Sequence, residues 1–218
     1  MPAPVKFPTA QDFPRRRARA LATRGRVLTA ALALFVGRGY VGTTISAIAE
    51  HADVSSETIY ATFRTKRAVL SELVDVSIAG GVSAPPILEQ EWVQELRAES
   101  DPRRRARLLA SRGRAILQRR SEVDEIVRGA ASADPEIATL RARGAAERYA
   151  GQRELLRIVV GASGTREGLD MEVATDVLYA IGSPETYRLL VFDRGWDPER
   201  FEQWYGDTIE RLILAPPG

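Results

Sequence analysis

Cysteine and asparagine are absent from this 218-residue chain, and histidine occurs once. Without thiols there can be no disulfide, thiolate metal site or catalytic cysteine; without asparagine there is no N-glycosylation acceptor. With His51 alone, and no H-E-x-x-H, P-loop or G-x-S-x-G pattern, the chain lacks the groups that zinc, phosphoryl-transfer and serine-hydrolase chemistry draw on. Carboxylates are plentiful, but none forms a recognisable acid/base pair or metal cluster. The expectation is a protein that is not an enzyme and needs no cofactor or metal. No apolar run near eighteen residues is evident, so no membrane span is expected. The proline-broken start, Met1 to Pro8, lacks the uninterrupted apolar region expected of a signal peptide. These absences fit a cytoplasmic protein. No segment sustains period-two alternation, which excludes a sheet-based fold and leaves an all-α reading.

The net charge of +2 is unevenly placed. Residues 1–67 hold eleven Lys and Arg against four acids, a charge of +7, and the remainder carries −5. A basic end on a mildly acidic body suits a polyanionic partner. A helical protein-interaction adaptor is the competing class, but it has no need of such an asymmetry.

Taken in order, residues 1–18 contain four prolines and a cluster of arginines, and read as a flexible basic arm. From Arg19 to Arg38 the spacing of Val27, Ala31 and Leu34, widened by Leu28 and Phe35, predicts an amphipathic helix. Gly39 should end it in a left-handed conformation, with Tyr40 folding back towards Phe35. Gly37 to Gly42 also fits G-x-G-x-x-G. A dinucleotide site needs a strand before those glycines, and here a helix precedes them, so they are read as a helix stop.

Two short helical patterns follow with almost no linker. Thr44 is the expected N-cap of the first, with Ile45, Ile48, Ala49 and Ala52 at helical spacing; Ser55 is the expected N-cap of the second, with Ile59 and Phe63 four apart. Ala52-Asp53-Val54 must turn the chain sharply between them. This is the layout of a helix-turn-helix, whose second helix offers its polar first turn to the DNA major groove. A further helix is expected from Lys66 to Ala79, and another over 87–99. Asp101-Pro102, Asp134-Pro135, Ser183-Pro184 and Asp197-Pro198 each pair a capping residue with proline, and predict helix starts at 102, 135, 184 and 198. The start at 184 could equally be a kink in one helix running from 170. A short separate helix is expected over 121–132, and Gly161 to Gly168 should be a loop.

Residues 25–75 resemble the N-terminal domain of the TetR family of bacterial transcriptional regulators. The likeness rests on Phe35, Gly39-Tyr40, Thr43-Thr44, Ile48-Ala49, Ala52, Val54-Ser55, Thr58-Ile59-Tyr60 and Phe63-x-x-Lys66. It implies a helix-turn-helix DNA-binding domain over 19–66 and a helical effector-binding and dimerisation domain over 67–218. By that resemblance Thr44, Thr58 and Lys66 grip phosphates and Tyr60 packs on the backbone. Ser46, Ser55, Ser56, Glu57 and Thr62 face base edges. Two residues depart from the family's habit of glycine: Asp53 in the turn, and Glu57, whose carboxylate repels phosphate unless it accepts from a cytosine amino group. The resemblance further implies a homodimer on a palindromic operator in double-stranded DNA, most often as a repressor released by a small-molecule effector. Tyr187, Leu190, Val191, Trp204, Tyr205, Ile209 and Leu212 are the expected dimer surface. Trp92, Tyr149, Met171 and Tyr179 are the large side chains placed to line an effector pocket.

Overall fold

The capping residues picked out in the sequence do begin helices. The structure is a computed structural model that describes residues 12–216, and among these the chain is all-α, with one isolated bridge between Thr165 and Leu214. At each of the four Asp-Pro or Ser-Pro sites the side chain accepts a backbone N–H of the first turn. Asp101 takes that of Arg103 (3.0 Å), Asp134 of Glu136 (2.9 Å), Ser183 of Thr186 (2.9 Å) and Asp197 of Arg200 (2.6 Å). Proline at the first helical position has no N–H to leave unsatisfied, so cap and ring act together.

The chain divides into two compact units, Met1–Leu73 and Val74–Gly218. The division falls inside a helix rather than at Lys66. In the first unit, α1 (Asp12–Gly42) is followed by α2 (Ile45–Ala52), α3 (Ser56–Phe63) and the start of α4 (Lys66–Ala79). The expected arm needs correcting in part: from Asp12 onward it is already helix, and residues 1–11 lie outside the described residues. Gly39 breaks α1 with φ 73° and ψ 162°, and Tyr40 returns to Phe35 with ring centroids 5.4 Å apart. A positive φ of this kind carries a steric cost for any residue with a Cβ.

A window within Arg16–Gly42 has mean hydropathy 1.3, enough for a membrane span by length and composition. Its stripe of Val27, Leu28, Ala31, Leu34 and Phe35 is buried in protein, together with Ile45, Ile48 and Ala49 of α2, Ile59 and Phe63 of α3, and Val69 and Leu70 of α4. The core helix of a globular unit meets the same test. Each fully buried Ile or Leu here contributes on the order of 1.5–3 kcal/mol relative to exposure.

The second unit comprises α5 (Glu91–Ala98), α6 (Pro102–Ala131), α7 (Pro135–Val160), α8 (Met171–Ile181), α9 (Pro184–Tyr187) and α10 (Pro198–Leu212). A π-helical turn, Arg188–Asp193, continues α9. Helix α6 is the spine, packing against both α7 and α10. It is one helix of 30 residues, which corrects the expected separate segment over 121–132. Nothing at Ser121 stops it, and the bidentate Arg120–Asp124 pair, with Nε to Oδ2 at 2.7 Å, spans the expected break. Helices α8 and α9 are separate: Gly182 lies between them and Ser183 caps the second. The core is built on Leu96, Leu109, Leu117, Leu156, Val159, Leu178, Phe201, Tyr205 and Ile209. Tyr205 decides two glycines. A Cβ at Gly113 would stand 2.9 Å from its ring and one at Gly182 2.3 Å from its hydroxyl.

Candidate nucleic-acid interface

Two capped turns place the polar residues of the helix-turn-helix. Thr44 is extended (φ −107°, ψ 158°), and its hydroxyl accepts the Ala47 N–H at 3.1 Å. Helix α2 ends on Asp53 in the left-handed conformation (φ 53°, ψ 54°), and the Val54 N–H returns to the Ala49 carbonyl at 3.0 Å. That is the six-to-one bond of a Schellman cap, with aspartate in the place usually filled by glycine. Asp tolerates this backbone better than most residues, so the sharp turn survives the substitution. Ser55 then caps α3, its hydroxyl accepting the Thr58 N–H at 3.2 Å and lying 3.1 Å from the Thr58 hydroxyl.

Helix α3 is oriented by Ile59 and Phe63, both buried. At about 100° per residue, Glu57 and Ala61 lie opposite that buried side, and both are exposed. Tyr60, half exposed at 53%, flanks them. Ser56 and Thr58 are only partly accessible, and Thr62, though exposed, turns its hydroxyl back to donate to the Thr58 carbonyl at 2.8 Å. Ser46 is exposed on α2. The Glu57 carboxyl sits below its ordinary range because it accepts its own backbone N–H first and the Ser55 hydroxyl second. It is therefore an ionised acceptor at the front of the helix. Ala61 and Arg64 carry no polar-motif signal in the sequence. Helical phase from Ile59 and Phe63 would have found Ala61, and Arg64, exposed with φ 67°, follows the end of the helix.

Lys66 is placed differently from expectation. Its ammonium donates to the carbonyls of Tyr40 and Thr43, both at 2.7 Å, and lies 4.3 Å from the centre of the Tyr40 ring. It thus ties the start of α4 to the end of α1 and the entry of α2, a scaffold role where a phosphate ligand was expected. Thr43, buried, adds a second tie by donating its hydroxyl to the Gly39 carbonyl at 2.8 Å. Arg24 is likewise engaged within the unit: it ion-pairs with Glu72 and lies over the Phe63 ring. Arg16, Arg17, Arg19, Arg26, Arg38 and Arg64 are exposed and supply much of this unit's positive charge.

Known proteins resemble this chain over the two capped helices and beyond them. The family model described as "Bacterial regulatory proteins, tetR family" matches residues 27–73. The uncharacterised HTH-type transcriptional regulator YdeS of Bacillus subtilis (strain 168) is 30% identical over 179 residues, covering 81% of this chain and 83% of that relative. The chain belongs to the TetR family of bacterial transcriptional regulators. Among solved structures, NalD of Pseudomonas aeruginosa, described as the secondary repressor of the MexAB-OprM multidrug efflux pump, matches with TM-score 0.67. It is 20% identical, over 89% of this chain and 98% of NalD. FadR of Bacillus subtilis, solved in complex with stearoyl-CoA, matches with TM-score 0.66 at 18% identity, over 84% of this chain and 96% of FadR. Those two likenesses establish the fold. As a TetR-family member the chain is a DNA-binding transcriptional regulator.

In the second unit of this TetR-family chain, the residues expected at a dimer surface separate into two groups. Tyr187, Tyr205 and Ile209 are buried within the core of the single chain, which corrects their assignment. Burial pushes the Tyr205 phenol well above its ordinary range. Leu190, Val191 and Trp204 are partly buried against the same core, and Leu212 is exposed at 45%. The π-helical turn leaves Leu189 and Phe192 exposed at 53% and 59%, and Phe192 carries no signal of this in the sequence. An aromatic stripe reads the same in sequence whether it packs within a chain or between chains.

The four expected pocket residues do not form one cluster. Trp92 is buried in the core, its indole donating to the Gln90 side chain at 2.9 Å, and Met171 packs on that core from the start of α8. Tyr149 and Tyr179 instead pair edge to face at 5.5 Å between α7 and α8. Arg148 stacks 3.5 Å from the centre of the Tyr179 ring and donates to the Tyr179 carbonyl at 3.0 Å. Its guanidinium is partly buried and its pKa falls below the ordinary value, chiefly through desolvation.

Proposed function

We propose that this TetR-family protein is a homodimeric, cytoplasmic repressor, without enzymatic activity, that binds a palindromic operator and is released by a small organic effector. The observation that carries the DNA reading is the solvent side of α3, with Glu57, Tyr60 and Ala61 presented within residues 1–67, which carry a charge of +7. Thr44, Thr58 and Tyr60 hold phosphates or sugars, aided by the exposed arginines of α1. Ser46, Ser55, Ser56, Glu57 and Thr62 are the base-facing set, with Ala61 added to it. Phosphate contacts fix the register and base contacts choose the sequence. Lys66 supports the head from within.

The dimer surface is assigned to α9, the π-helical turn and α10, through Leu189, Phe192 and Leu212, with Leu190, Val191 and Trp204 beside them. Two exposed apolar side chains on one turn, and a third at the end of α10, favour burial against a second copy. A two-fold dimer then reads two half-sites about one helical turn, roughly 34 Å, apart or a multiple of it. The effector reading draws on the stearoyl-CoA bound to FadR and the choline bound to a Saccharomonospora viridis regulator of the same fold. In this chain it is assigned to the second unit, where Tyr149, Tyr179 and Arg148 supply aromatic faces and a cation. An effector acts only through unequal affinity for the DNA-binding and released conformers.

The test is selection of duplexes from a random library by the full-length protein. Recovery of an inverted repeat supports the proposal. Recovery of no preferred duplex, or of an asymmetric site bound by a monomer, overturns it.

A further inference from the structure

Glu57 is an anomaly on a surface that faces a polyanion. It stands on the outermost line of α3, opposite Ile59 and Phe63. No cation lies within ion-pair distance of it among the described residues, whereas Glu72, the other glutamate between α3 and the end of the first unit, is taken up by Arg24. Its own backbone N–H and the Ser55 hydroxyl hold its carboxyl below the ordinary carboxylate range, so it is an anion here. An anion in this position repels phosphate on either side of the groove. It becomes favourable only against a hydrogen-bond donor on a base edge.

The major groove offers few such donors. Guanine presents two acceptors there and thymine an acceptor and a methyl, both unfavourable to a carboxylate; adenine pairs its amino group with the N7 acceptor; cytosine presents its amino group alone. Ala61, one turn further on and about 6 Å along the axis, is small enough to let the helix approach closely. Its methyl group suits contact with a thymine methyl.

We propose that Glu57 is the specificity-determining residue of the reading head, accepting a hydrogen bond from the exocyclic amine of one cytosine in each half-site, with Ala61 against an apolar base edge about two steps away. This inference rests on the DNA-binding reading above. It adds the base chemistry that the operator must present.

The experiment compares full-length wild type, Glu57→Gln and Glu57→Ala in selection from one random duplex library, followed by titration of single-position variants of the wild-type site. The expected wild-type site has one half-site position dominated by cytosine, with a preference of about fivefold to a hundredfold over other bases. Glu57→Ala should flatten that position alone and bind unrelated duplex more tightly, since a negative charge has left the face. Glu57→Gln should move the preference at that position towards adenine, whose amino group and N7 a carboxamide matches in pairs. Identical base profiles for all three proteins would overturn the proposal, as would loss of preference at every position together. If the wild type selects no duplex at all, the DNA-binding reading fails first, and this inference with it.

Discussion

Replacing Lys66 by Met separates a scaffold lysine from a phosphate ligand. The substitution keeps the aliphatic stem and removes the ammonium that bridges the Tyr40 and Thr43 carbonyls and sits on the Tyr40 ring. A hydrogen bond from a charged donor is worth about 1.5–3 kcal/mol, and a cation over an aromatic ring about 0.5–1 kcal/mol at an accessible site. The terms do not add, because they share one group. The Tyr40 carbonyl also keeps the Thr43 N–H at 3.3 Å, so the loss concentrates on the Thr43 carbonyl. A net destabilisation of about 2 kcal/mol follows from these ranges. Urea denaturation followed by far-ultraviolet circular dichroism, at one fixed protein concentration, would measure it. Fluorescence titration of duplex DNA would run alongside. The reasoning predicts a clear drop in the denaturation midpoint and a salt slope of DNA binding unchanged from wild type. An unaltered midpoint together with a slope reduced by about one would refute it and restore Lys66 to the phosphate.

Three further outcomes are expected. Phe192→Glu, alone or with Leu189→Glu, should give monomer in sedimentation velocity at micromolar concentration while leaving the helical spectrum intact; a persistent dimer would place the interface elsewhere. Gly182→Ala should destabilise by roughly 1–3 kcal/mol, the usual cost of overpacking, since the new Cβ meets the Tyr205 hydroxyl and the Leu178 carbonyl; an unchanged denaturation midpoint would contradict that packing. Asp124 is largely buried, and desolvation lifts its carboxyl above the ordinary 3.8 despite the hydrogen bonds from Arg120. The unfolded chain therefore releases that proton at lower pH than the folded one. Stability attributable to this group falls as pH rises from about 4 through the raised folded value. Asp124→Asn should remove that slope, and a slope identical to wild type would show that another group carries it.

The sequence exposed the parts of the fold that local chemistry controls. Caps at Thr44, Ser55, Asp101, Asp134, Ser183 and Asp197 are decided within three or four residues, and each begins a helix. The left-handed Asp53 was legible for the same reason. Continuity of α6 through Ser121 was not, because a helix without proline is ended by tertiary packing rather than by composition. Helix-turn-helix spacing located the reading head, but not how its hydroxyls and cations are used. Thr62 bonds to its own helix and Lys66 to carbonyls 23 and 26 residues away. Such partners exist only once the chain has folded. Burial of Tyr187, Tyr205 and Ile209 follows the same logic: helical phase shows that they share a face, and only the packed core shows what that face meets.

The most direct measurement of the central claim is the salt dependence of binding to duplex DNA from the intergenic region beside this chain's own gene. A head that neutralises about six phosphates should lose affinity with a log–log slope near −5, roughly a thousandfold between 50 and 200 mM salt. Binding that is indifferent to salt, or absent for that DNA and for duplexes chosen from a random library, would contradict the account.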